Sequence, residues 1–274
     1  MRLLFCGDLV GRSGRDVVRE HLPRLRQELA LDFVIVNGEN AAGGFGITER
    51  ICAELYAAGV DAITTGNHVW DQRETMGFIN RDPRLLRPQN FPAGTPGRGV
   101  GLFQTARGRK VMVMNVMGRL FMDPLDDPFA AVERELSIHR LAGTADAVVI
   151  DVHAEATSEK MAMGHFADGR ASLVVGTHTH VPTADSQILP KGTAYQTDAG
   201  MCGDYDSVIG MEKAVPVARF TRKMPTERMA PAQGPATLCA VFVETDDKTG
   251  LARQVAPLRV AGRLIPHWPI ELAD

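Results

Sequence analysis

The chain has 274 residues, room for one large α/β domain or two small ones at roughly 150 residues each. Its apolar content of 45%, charged content of 23% and aromatic content of 6% exclude a disordered, collagen-like or coiled-coil chain. A net charge of −3 argues against a protein built on nonspecific grip of a nucleic-acid backbone. The eight histidines and 27 glycines are left to explain. Cys6, Cys52, Cys202 and Cys239 show no C-x-x-C spacing and read as free thiols packed as small hydrophobes in a reducing compartment. The apolar opening ends at Gly7-Asp8, short of a signal peptide's h-region, and no run reaches the length of a membrane span. A cytoplasmic protein without membrane contact is expected.

Taken in chain order, Arg2–Cys6 reads as a buried strand. Ser13 is placed to cap a helix whose Val18, Leu22, Leu25 and Leu29 share one face, and Pro23 predicts a kink or break within it. Phe33–Val36 is a second buried strand. Thr48 caps a helix carrying Ile51, Leu55 and Ala58, Ala62–Thr64 is a third strand, and Trp70–Ile79 is read as helical. This alternation predicts parallel βαβ units. Residues 83–101, rich in Pro and Gly, read as a loop. Lys110–Val116 and Ala147–Val152 are further strands around a helix near Phe129–Leu141, and Leu173–Val175 follows. Beyond it, Ser186–Leu189, Thr193–Gln196, Thr237–Glu244 and Gln254–Val260 predict a second, more antiparallel sheet with little helix. Residues 222–235, with three prolines, read as a mobile loop. With no repeat and no long linker, a single domain over 1–274 is expected.

Polar residues collect at five strand ends: Gly7-Asp8, Asn37-Gly38-Glu39-Asn40, Gly66-Asn67-His68, His153, and Gly176-Thr177-His178-Thr179-His180. Open α/β sheets bind ligands at such ends, and turn chemistry does not call for histidine at three of them. Asp, Glu, Asn and His together offer oxygen and nitrogen donors without thiolate, a set suited to Fe, Mn or Zn. The donors suffice for two ions, with Glu39 central enough to bridge. His178 and His180 would share one face of an extended segment but could reach separate ions near a bend. The run Gly7–Arg15 lacks the spacing and the Lys of a phosphate-binding loop, and Gly43-Gly44-Phe45-Gly46 reads as a flexible turn. Two ions about 3.5–4 Å apart can hold a hydroxide for in-line attack on phosphorus. His68, beside Asn67, is better placed to protonate a leaving alkoxide than to ligate.

These blocks resemble those of calcineurin-like metallophosphoesterases, which carry G-N-H and G-H-x-H. The resemblance is closer to the bacterial YmdB-like metallophosphoesterases, through Gly7-Asp8-Leu9-Val10-Gly11, Asn37-Gly38-Glu39-Asn40-Ala41 and Thr197-Asp198-Ala199-Gly200-Met201-Cys202-Gly203. It spans almost the whole chain and implies a four-layer α/β/β/α sandwich with two mixed β-sheets. It also implies a dinuclear centre, iron first with manganese or zinc as alternatives, and phosphodiesterase activity on 2′,3′-cyclic nucleotides. By position, Asp8, Glu39, Asn40 and His180 would hold one ion, Glu39, Asn67, His153 and His178 the other, with His68 the proton donor. The sequence departs from the broad superfamily pattern at Asp8-Leu9-Val10, where D-x-H loses its His, and at Glu39, where an Asp is usual. Asn40 could supply the missing donor.

Other histidines have plainer readings: His21 and His139 in helical patterns, His267 in a Pro-flanked tail. His165, Glu155 and Thr157 are candidates for orienting ligands or touching substrate. The run Thr197–Asp206 reads equally as substrate-pocket lining or turn chemistry. The alternatives in function are a metallophosphatase on monoesters or phosphoproteins, and a non-catalytic metal-dependent regulator binding nucleotide or RNA. RNA contact and homo-oligomerisation stay open.

Overall fold

The computed structural model describes residues 1–269; the end of the expected domain lies outside them. In chain order the first half holds β1 (Arg2–Cys6), β2 (Asp8–Leu9), α1 (Gly11–Glu28), β3 (Phe33–Asn37), α2 (Glu49–Ala57), β4 (Ala62–Thr64) and the single turn α3 (Thr75–Phe78). Next come β5 (Val100–Gln104), β6 (Lys110–Met117), α4 (Pro128–Ile138), β7 (Ala147–His153), α5 (Thr157–Ala167) and β8 (Leu173–Thr177). The chain continues through β9 (Gln187–Ile188), β10 (Ala194–Gln196), β11 (Met201–Asp204), α6 (Ala214–Arg222), β12 (Ala236–Thr245) and β13 (Ala252–Val260).

Two mixed sheets stack face to face. One runs β2-β11-β12-β1-β3-β4 with β13 on β12, the other β5-β6-β7-β8-β10-β9. Strand alternation builds the layers: along β1, Leu3 and Phe5 face the inter-sheet core with Ile35, Val113 and Val149, while Leu4 and Cys6 face α1 and α2. On the far side, α4 and α5 bury Val132, Leu136, Met163 and Ala167 against β6, β7 and β8. This is the expected four-layer α/β/β/α sandwich. All four cysteines are free and buried.

Several local expectations are corrected. Ser13 lies inside α1, which is capped by Val10 without a side-chain bond, and the Ser13 hydroxyl donates to the Ala232 carbonyl at 3.0 Å. Pro23 does not break α1; it sits on the exposed face, where water can satisfy the carbonyl that loses its N–H partner. Most of 70–79 is turns, with only α3 helical. The late strands do not form a sheet of their own. β9 and β10 extend the second sheet, whereas β11, β12 and β13 join β1 in the first. Alternation identifies such strands as half-buried but carries no information about their long-range partners. Strand β5 and helices α5 and α6 were not expected; exposed residues interrupt their apolar patterns.

Candidate metal centre

The parallel strands β1, β3 and β4 of one sheet and β7 and β8 of the other end at a common edge, and all seven residues proposed as ligands meet there. Ligand atoms of Glu39, His153 and His178 lie within 4.8 Å of one another, as do those of Asp8, Glu39 and His180. Glu39 is shared by both groups. His153 Nε2 lies 3.0 Å from Asn67 Oδ1, 3.2 Å from Glu39 Oε1 and 3.2 Å from His178 Nδ1. His180 Nε2 lies 3.2 Å from Asn40 Oδ1 and 3.9 Å from Asp8 Oδ1. Gly66 is required by this crowding: a Cβ there would collide with the His153 ring and the Glu39 carboxylate.

The two histidines of the Gly176–His180 block are separated by a bend, with φ of +96° at His178 and +67° at His180. These left-handed conformations cost free energy in non-glycine residues and send the two rings to different groups. The turn is held from beneath by Asp198, which accepts from Thr179 N at 3.1 Å and Thr179 Oγ1 at 2.7 Å and from Gly200 N at 2.8 Å. Lys160 Nζ donates to the same carboxylate at 2.8 Å, with both side chains almost fully buried. Tyr205 adds a bond from its hydroxyl to the His180 carbonyl at 3.2 Å. In the run Thr197–Asp206, then, Asp198 and Tyr205 brace this turn.

Outer partners aim each ligand atom inward. His180 Nδ1 donates to the Ile209 carbonyl at 2.7 Å. Asn40 Nδ2 donates to the Gly44 carbonyl at 3.0 Å, leaving Oδ1 for the site. His178 Nε2 meets Glu155 Oε2 at 3.2 Å. Beneath His153, Nδ1 meets Thr177 Oγ1 at 2.9 Å, which donates to Asp151 Oδ1 at 2.7 Å. Asn37 and Thr64 bind the other oxygen of Asp151. Glu155 was a candidate from sequence, whereas Thr157 and His165 are exposed on α5. Asp151 and Lys160 were missed, and Thr177 and Asp198 stood in blocks singled out from sequence but without these supporting roles. The only signal for Asp151 is its place two residues before His153 on the same strand, which puts both on one face.

Electrostatics test whether cations suit the site. Burial pushes the Asp8 carboxyl well up, and its Oδ1 has no hydrogen-bond partner among the described residues. Burial would also raise Glu39, but His153 and His68 hold it down to about 2. Burial would lower His153, yet Glu39, Asp8 and Asp151 carry it up to about 9. Burial and the neighbouring His153 push His178 down to about 3, so its inward nitrogen is an acceptor. One proton on His153 Nε2 therefore faces three acceptors, and Asp8 Oδ1 has none to share. The donor set fits two cations better than protons.

His68 stands at the rim, outside both groups. Its backbone N–H donates to Glu39 Oε2 at 3.1 Å, its Nδ1 meets Asp71 Oδ2 at 2.8 Å, and its side chain is 29% exposed, so the ring can reach a reacting molecule. The Glu155 contact yields an expected result: Glu155→Gln, which removes the charge behind His178, should weaken metal binding about 10–100-fold. Competition with a chelator during titration checks this.

Comparison with known proteins shows the family and the fold. A family profile described as YmdB-like protein matches residues 4–258. The chain is 49% identical over 255 residues to the 2′,3′-cyclic-nucleotide 2′-phosphodiesterase of Bacillus subtilis (strain 168), covering 93% of this chain and 95% of that protein. A crystal structure of a novel phosphatase from Mycoplasma pneumoniae superposes with a TM-score of 0.88 at 33% identity, covering 95% of this chain and 93% of that one. The calcineurin-like phosphoesterase YfkN from Bacillus subtilis, at 11% identity, shares the fold with a TM-score of 0.57 over 94% of this chain and 90% of its own. With two donor groups joined by Glu39 and a profile match over nearly its whole length, the chain belongs to the YmdB-like protein family.

Proposed function

We propose that this protein is a metal-dependent phosphodiesterase that hydrolyses nucleoside 2′,3′-cyclic phosphates, acting as a single domain over 1–274 in the cytoplasm. The observation that carries the reading is the pair of buried donor groups sharing Glu39 with a partly exposed histidine at their rim. The relative named for this activity, at 49% identity, supports the substrate class, and the four free thiols suit a reducing compartment. Asp8, Glu39, Asn40 and His180 would hold one ion, and Glu39, Asn67, His153 and His178 the other. Oxygen and nitrogen donors without thiolate suit iron, manganese or zinc alike, and the family resemblance puts iron first. Bound there, two such ions would neutralise charge on the phosphoryl oxygens and lower the pKa of a water so that hydroxide is available as the nucleophile.

The remaining chemistry belongs to the chain. His68, steadied through Nδ1 by Asp71 at 2.8 Å, presents its other nitrogen to the leaving ester oxygen and protonates it as the bond breaks. Asn37, Thr64 and Thr177 hold Asp151 beneath His153 and keep that ring's outer nitrogen pointing away from the site. Elemental analysis of anaerobically purified protein is expected to find about two metal ions per chain. In a panel of 2′,3′- and 3′,5′-cyclic nucleotides and phosphomonoesters, the 2′,3′-cyclic compounds should be the preferred substrates. His68→Ala should keep the metal and lose about 10²–10⁴-fold in kcat. Hydrolysis of monoesters alone would sink the diesterase reading, and full turnover by the variant would remove His68 from its role.

A further inference from the structure

The loop Gly43-Gly44-Phe45-Gly46 is a turn, as its glycines predict, and it is tied at both ends. Gly43, Gly44 and Gly46 have φ of +63°, +91° and +76°, conformations that glycine takes without strain. A Cβ on Gly46 would lie 2.8 Å from Gln72 Cγ and 3.3 Å from the His68 carbonyl oxygen. Gln72 Nε2 donates to the Phe45 carbonyl at 2.7 Å. At the other end, Gly44 N donates to the Asn40 carbonyl at 3.1 Å, and the Asn40 side chain returns a bond to Gly44. The loop is thus braced on Asn40 and on the segment that follows His68.

What it presents is Phe45, half-buried on an apolar bed of Val10, Met201 and Met211. Its ring centroid lies 5.1 Å from that of His68, with the planes at 73°. The guanidinium carbon of Arg228 stands 5.7 Å from the Phe45 centroid. A proton donor faces the leaving oxygen of the substrate, and in a 2′,3′-cyclic nucleotide both ester oxygens on the ring belong to the ribose. Ribose and base therefore extend from phosphorus on the His68 side, where Phe45 stands. We propose that Phe45, with Arg228 beside it, is the nucleobase subsite of this enzyme. An aromatic face stacks any base, and a guanidinium plane adds cation–π attraction, so the subsite favours nucleotides over base-free phosphates with little discrimination among bases.

This inference rests on the cyclic-nucleotide reading, but binding tests it without turnover. Calorimetry on the metal-loaded enzyme compares adenosine 3′-monophosphate with inorganic phosphate. Wild type should bind the nucleotide more tightly. Phe45→Ala should weaken the nucleotide about tenfold, the order expected for loss of one base–aromatic stack, and shift phosphate by less than about twofold. Phe45→Trp, which keeps an aromatic face, should restore nucleotide binding, and Arg228→Gln should weaken it with the same selectivity. Equal losses for both ligands in Phe45→Ala, or an unchanged nucleotide affinity, would overturn the subsite. Absence of 2′,3′-cyclic nucleotide hydrolysis by wild type would instead overturn the functional reading, with the binding difference still judging Phe45.

Discussion

Glu39→Gln is expected to reduce turnover of 2′,3′-cyclic nucleotides by about a thousandfold or more and to lower the bound metal from about two ions per chain to one or none. Glu39 is the one residue common to both donor groups, and it is 1% exposed. Glutamine keeps the length, the planar end and one acceptor oxygen, so the substitution isolates charge. Without it, Asp8 is the only carboxylate left in either group, beside three histidines and three carboxamides, those of Asn40, Asn67 and the new glutamine. Two divalent ions packed closely would then repel each other with a single negative charge to offset them. The interactions that set the layers lie elsewhere, in the cores between the sheets and under the helices, so the metal-free variant should still fold, with a Tm lowered by loss of the buried Glu39–His153 pair. Elemental analysis, a steady-state assay and a melting curve on the same preparation check the three parts. Retention of both ions with wild-type turnover would show that Glu39 does not join the two groups.

How much of this was legible from sequence depends on the range of the interaction involved. Local patterns carried well: β1, β3, β4 and β7 were bounded within one residue, and Thr48 does cap α2, accepting from Ile51 N at 3.3 Å. The candidate donors that meet at the site stood out in the sequence because a sheet's carboxyl edge concentrates chemistry, and polar residues following buried strands contrast with apolar runs. Long-range facts were not legible. Pairing of β12 with β1 joins residues about 240 positions apart, and nothing local distinguishes an edge strand of one sheet from a central strand of the other. The residues behind the ligands were hidden for the same reason. Asp198 belongs to a run that reads equally as a turn, and Lys160 is a charged residue on a helix with little amphipathic pattern. Each acquires meaning only from the other. Phe45 was hidden by its glycines, which suggest mobility until Gln72 and Asn40 are seen to bind the loop.

Lys160→Met is expected to lower Tm by roughly 10 °C, because it leaves Asp198 buried and charged without its partner. Breaking a buried pair from one side costs about 3–5 kcal/mol, and for a chain near this size 1 kcal/mol shifts Tm by about 2–4 °C. Asp198 cannot escape to water, being 0% exposed and tied to Thr179 and Gly200. Adding Asp198→Asn should recover part of the loss, since the carboxamide removes the stranded charge and keeps an oxygen for the Thr179 N–H. Full recovery is not expected: one carboxamide oxygen cannot replace both oxygens of a carboxylate that serves Thr179 on one and Gly200 on the other. The same bonds hold the left-handed turn that separates His178 from His180. Lys160→Met should therefore also weaken metal binding at temperatures well below its Tm, where the chain is folded, whereas a purely structural defect would leave affinity unchanged there. A Tm shift under about 3 °C, or a double variant no more stable than the single one, would mean that the charge of Asp198 is compensated by its hydrogen bonds alone.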